Sequence, residues 1–162
     1  MHWYTDVLKK YAVFSGRASR KEYWMFFLWN IIISFFIGVL IGIVTTATGV
    51  SKDTGDFVQA IYSLAIMMPS IAVAFRRLHD TGRSGWWLGG ELMFIAVSVL
   101  ITIGLVLMGA NIALLILIPF VFIPVVAIYS IVLTVFLIQK GMVGKNKYGP
   151  DPKSSEHISK TE

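Results

Sequence analysis

Apolar residues run uncharged from 24 to 48 and again from 57 to 75. A helix of about 20 apolar residues crosses the hydrocarbon core of a bilayer, so each stretch predicts one span, the first long enough to tilt. No charged residue occurs from 92 to 139, a stretch too long for one helix and long enough for two. Gly109, Ala110 and Asn111 mark the break, which divides it into spans 86–108 and 112–138 joined by a tight turn. Pro69 lies in the second span, with Pro119 and Pro124 in the fourth, and each predicts a bend. Pro69 also deprives the Ala65 carbonyl of its helical partner, which a neighbouring group must then satisfy. The expected fold is all-α: one integral membrane domain over 1–162, a four-span transmembrane helical bundle with short outer connections at 50–56 and 109–111.

The first 23 residues follow another pattern. Trp3, Val7, Leu8 and Tyr11 recur at helical spacing, with Asp6, Lys9 and Lys10 on the other side. This predicts a short amphipathic helix lying in the membrane interface, either as an aromatic and basic belt or as a partner-binding element. Ser19 and Glu22 have the spacing of a capping box that starts the first long helix. The apolar run that follows exceeds the 7–15 residues of a signal-peptide core, so an uncleaved anchor is expected.

Charge orients these spans. Lys9, Lys10, Arg17, Arg20, Lys21, Arg76, Arg77, Arg83, Lys140, Lys145, Lys147, Lys153 and Lys160 fall in three segments on one side, and Lys52 alone lies opposite. Cytoplasmic loops carry the excess of Lys and Arg, which predicts that both termini are cytoplasmic. One span plus a re-entrant loop over 92–139 would send the basic tail to the other side and break this asymmetry.

Composition agrees: with 56% hydrophobic and 14% charged residues the chain has too little polar surface for a soluble globule. The net charge of +5 sits beside the spans, where anionic lipid headgroups are nearer partners than nucleic acid. The absence of cysteine excludes disulfides, thiolate metal sites and thiol catalysis.

The densest chemistry lies at 76–87, between the second and third spans. Arg76, Arg77 and Arg83, with Arg17 and Arg20 from the first segment, are the candidate phosphate-binding cations, since a guanidinium offers paired donors to phosphate oxygens. His79 and Asp80 are either an acid/base pair or, as ion-pair networks more often prove to be, structural groups that order the turn. Glu91, the acid inside an apolar span, is expected to tie spans together through Arg76, Arg77, Arg83 or Asn30. Gly38 with Gly42, and Gly85 with Gly89, allow close helix approach within the chain or between copies. No Walker loop, metal-binding spacing, hydrolase elbow or internal repeat is present, so no catalytic residue, metal or cofactor is expected.

Three blocks carry a resemblance: 14–24 (FSGRASRKEYW), 76–87 (RRLHDTGRSGWW) and 146–152 (NKYGPDP). In content and order they resemble the bacterial inner-membrane family catalogued as domain of unknown function 805. The resemblance implies a small four-span protein of the bacterial cytoplasmic membrane with no established activity. All three blocks fall on the expected cytoplasmic side, where the turn at 148–152 can fold back and bring Asp151 to an arginine of either other block. The leading expectation is a non-enzymatic protein whose basic cluster, ordered by His79, Asp80, Glu91 and Asp151, binds anionic lipid headgroups or a membrane-protein partner, including a second copy. The alternatives are an enzyme acting on a lipid or isoprenoid phosphate and a small transporter or channel subunit.

Overall fold

The computed structural model describes residues 2–153. Lys160 and the rest of the tail from 154 to 162 lie outside the described residues. Five helices follow in order: α1 (His2–Lys9), α2 (Arg20–Thr48), α3 (Lys52–Asp80), α4 (Trp86–Leu107) and α5 (Ile112–Ile138). Among the described residues there is no strand, and Asn146 and Gly149 form an isolated bridge. The four long helices are each apolar and long enough to cross a membrane.

The helices form two hairpins. α2 packs along α3 and α4 along α5, while α3 also touches α4 and α5. Buried apolar residues form two clusters: Val7, Ala18, Phe26 and Val73 in one, Leu78, Leu133 and Leu137 in the other. Both lie towards the end where α2 and α4 begin and α3 and α5 finish, called here the basic end. Elsewhere large side chains such as Phe35, Phe36, Leu100 and Phe120 point outward. So continuous an apolar exterior is stable only against hydrocarbon or another protein.

Local chemistry sets the helix ends. Ser19 caps α2, its Oγ accepting the Glu22 amide at 3.2 Å. The Glu22 carboxylate does not complete a capping box, because it reaches across to Arg76 at 3.0 Å. Gly49, at φ 69°, closes α2 in the left-handed conformation that glycine adopts without a Cβ penalty. Asn111 caps α5 through its Oδ1, which accepts the Leu114 amide at 3.1 Å, and the turn falls where the sequence places it. α3 is longer than its apolar run at both ends. Lys52, Asp53 and Asp56, expected in a loop, lie in its first turns, and Arg76 to Asp80, expected in the following loop, are its last. At that second end the ladder continues past the apolar run because Arg77 pairs with Asp80 one turn on and Arg76 pairs with Glu22.

α1 forms, with its apolar stripe turned onto protein. Val7 is fully buried beside Ala18, Phe26 and Val73, and the Tyr4 ring stacks on Phe26 at 5.1 Å. The Tyr4 and Tyr62 hydroxyls both donate to Asn30 Oδ1, at 3.4 and 2.7 Å. α3 and α5 continue through their prolines. The Ala65 carbonyl, one turn before Pro69, receives the Tyr11 hydroxyl at 2.6 Å. A Cβ added at Gly38 or Gly42 would meet nothing among the described residues, whereas Gly85 lies so close to Phe75 that an added Cβ would fall 2.0 Å from its ring.

Candidate functional site

The segment before α2, the α3–α4 turn and the segment after α5 meet at the basic end around Asp80. Arg17 donates from Nε to Asp80 Oδ1 at 3.0 Å, and Arg77 donates from Nη1 to Asp80 Oδ2. All three side chains are buried, at 1%, 0% and 6% exposure for Arg17, Arg77 and Asp80. One carboxylate thus neutralises part of two guanidinium groups, each held out of water.

The remaining donors go to backbone carbonyls. Arg77 Nε reaches the Leu137 carbonyl at 3.0 Å and its Nη2 reaches that of Gln139, so this arginine caps the exit of α5. Arg17 donates to the carbonyls of Met142, Gly144 and Gly149 in the following segment. The last carbonyls of a helix lack intrahelical partners, and a cation there also opposes the helix dipole. The Met142 amide returns a bond to the Asp80 carbonyl at 2.9 Å. These contacts fasten the chain after α5 to the end of α3.

His79 and the third block complete the knot. Its Nδ1 lies 3.1 Å from the Gly16 carbonyl, and its ring stacks on Tyr148 at 3.9 Å and 6°. Asn146 Nδ2 donates to the His79 carbonyl at 2.9 Å, and the Ala18 amide donates to the Arg76 carbonyl at 3.0 Å. Asp151 accepts the Gly144 amide at 3.2 Å and the Lys153 amide at 2.9 Å, so it orders the tail's turn through backbone donors. The Lys153 amide is the main influence holding its carboxyl below the usual value, with the Gly144 amide and the charges of Arg17 and Lys153 acting the same way against partial burial.

The other candidate residues stand apart. Arg76 joins Glu22, and among the described residues its Nη2 has no hydrogen-bond partner. Among the described residues Arg20 reaches only the Ile138 carbonyl, at 3.5 Å. Arg83 lies over the Phe136 ring, 3.8 Å from its centroid. Glu91 does not meet an arginine: its Oε1 accepts the Ser130 hydroxyl, joining α4 to α5. Two participants escape the sequence pattern. Glu22 reads as a capping residue, and Gly141 carries no signal, although a Cβ there would fall 2.0 Å from Asp80 Oδ2.

Residues 11–150, which hold α2 to α5, the first two blocks and the third as far as Pro150, match the family described as protein of unknown function (DUF805). The chain belongs to this family. It is 40% identical to inner membrane protein YhaH of Escherichia coli strain K12 over 94% of this chain and 98% of that protein. It is 39% identical to inner membrane protein YhaI of the same strain, over 94% of this chain and 97% of that one. Uncharacterized protein YiiR, also of that strain, is 30% identical over 89% of this chain and 88% of its own length. No solved structure matches the chain. With four apolar helices and two inner-membrane relatives matched almost end to end, this member of the family is a multi-pass inner-membrane protein.

Proposed function

We propose that this chain is a non-enzymatic inner-membrane protein with both termini in the cytoplasm, whose basic end binds anionic lipid headgroups. The observation that carries this reading is the division of its cations into two sets. Arg17 and Arg77 spend their donors on Asp80 and on backbone carbonyls, leaving the knot a structural role. Lys9, Lys10, Lys21, Lys140, Lys145, Lys147 and Lys153 are exposed around it. A lysine near an anionic bilayer surface contributes about 1 kcal/mol, so such a ring favours anionic headgroups without a built pocket. The acid/base alternative has less support, because both oxygens of the buried Asp80 already accept from arginine, which leaves no free face to meet a substrate proton.

Replacing Lys140, Lys145 and Lys147 by Gln tests the lipid reading. The ratio of phosphatidylglycerol to phosphatidylcholine retained on mild extraction from mixed bilayers falls several-fold; an unchanged ratio refutes it. Orientation is tested with a membrane-impermeant maleimide on cells. Lys52→Cys labels from outside and Lys145→Cys only after permeabilisation, and the reverse order removes the cytoplasmic assignment.

A further inference from the structure

Between α2 and α3 runs a groove of about 540 Å³, bounded at its basic end by Leu88 of α4 and open laterally to the membrane. On α2 its wall is Tyr23, Phe27, Ile31 and Ser34, at helical spacing. Two of its polar side chains are used within the protein: Ser70 Oγ donates to the Ile66 carbonyl at 2.7 Å, and Asn30 donates to the Phe26 carbonyl and accepts from Tyr62. Besides the hydroxyls of Tyr23 and Ser34 the groove offers a ligand mostly hydrocarbon surface.

From Tyr23 to Ser34 the wall spans about 16 Å at 1.5 Å per residue. Half of a hydrocarbon core is about 15 Å, so the groove matches one leaflet in depth. Arg20 lies one turn before Tyr23 on the same stripe, at the level of the headgroups. Among the described residues no carboxylate pairs with Arg20, and its single hydrogen bond, to Ile138, is at the limit of such contacts. A second groove, between α4 and α5, lacks this feature. Its lining begins at Ile95 on α4 and ends at Ala127 on α5, more than two turns from any cation. The combination of an apolar, leaflet-deep groove and a cation at its mouth is complementary to a diacyl phospholipid with a negative headgroup.

We propose that the α2–α3 groove seats one acyl chain of an anionic phospholipid of the cytoplasmic leaflet, with Arg20 holding its phosphate. This rests on the headgroup-binding reading and gives it one defined site in addition to the diffuse lysine ring. The test is native mass spectrometry of the full chain in detergent, with phosphatidylglycerol and phosphatidylcholine of identical acyl chains supplied together. The wild-type chain retains one phosphatidylglycerol in preference. A hydrogen bond to a charged group is worth about tenfold in affinity or more, so Arg20→Gln lowers that preference by about tenfold, and Arg20→Lys keeps part of it. Ile31→Trp, at a half-exposed position on the open side, fills the groove and lowers retention of both lipids. Full preference in Arg20→Gln, or full retention in Ile31→Trp, overturns the groove site. If the preference falls only on lysine neutralisation, the groove is wrong while the headgroup reading stands. A wild-type chain with no preference removes both.

Discussion

A Cβ on Gly141 would lie 2.0 Å from Asp80 Oδ2, so the segment leaving α5 passes against the carboxylate that joins Arg17 to Arg77. The carboxylate has nowhere to retreat, because each of its oxygens faces a buried guanidinium. Gly141→Ala is expected to lower stability by about 1–3 kcal/mol, the usual cost of overpacking. At Gly38, which lies within α2, an added Cβ would meet nothing among the described residues, and there alanine is neutral or stabilising by up to about 1 kcal/mol. Denaturant unfolding of the two variants in one detergent gives the comparison.

Asp80→Asn removes the negative charge and keeps the shape. Two buried arginines are then left uncompensated, and breaking a buried pair from one side costs about 3–5 kcal/mol. Arg17→Gln made together with Asp80→Asn is expected to cost less than the sum of the two single changes, since it removes one of the stranded charges. Additive losses would mean that Arg17 is held by its carbonyls alone.

The spans were legible because uncharged apolar length and a Gly109–Asn111 break are local properties. The last turns of α3 were not, since Arg76 is kept helical by Glu22, a residue 54 positions away. The meeting of the three blocks followed from charge and turn chemistry, but the aim of each arginine did not. A sequence shows that Arg17 and Arg77 carry donors, and whether these face a phosphate or a carbonyl depends on tertiary packing. Glu91 joins α4 to α5 through a serine where an arginine or Asn30 is expected, and that choice rests on packing. Glu91 stands one turn beyond Trp87, whose ring faces Phe136 and Tyr129 of α5, so the same helical face takes it to Ser130.

The tail's turn is expected to be acid-sensitive through Asp151. Its carboxyl lies below the ordinary 3.8, chiefly because its charged form accepts the Lys153 amide. A depressed folded-state pKa gives stabilisation that is complete above the ordinary value and is lost as pH falls through the folded one. Amide exchange at Gly144 and Lys153, corrected for intrinsic rates, is therefore flat from neutral pH to about 5 and accelerates only below the ordinary carboxylate range. Asp151→Asn abolishes that acid-dependent component. An acceleration near pH 6 would assign the effect to another group.

Tyr11 and Pro69 form a pair that a mutant cycle can isolate. Proline has no amide hydrogen to give to the residue four before it, so the Ala65 carbonyl depends on the Tyr11 hydroxyl, 2.6 Å away. Tyr11→Phe keeps the ring and loses that bond, and hydrogen bonds in membrane proteins are worth about 0.6–1.7 kcal/mol. In a Pro69→Ala background the new amide at 69 supplies Ala65 through the normal helical bond, and Tyr11→Phe should cost close to nothing. Pro69 is buried, so Pro69→Ala carries its own packing cost, which cancels around the cycle. Unfolding of the four chains in mixed micelles measures the coupling. Equal costs of Tyr11→Phe in both backgrounds would show that the segment after α1 is held by ring packing, whereas the expected difference would show that it is fastened to α3 through the carbonyl that Pro69 leaves open.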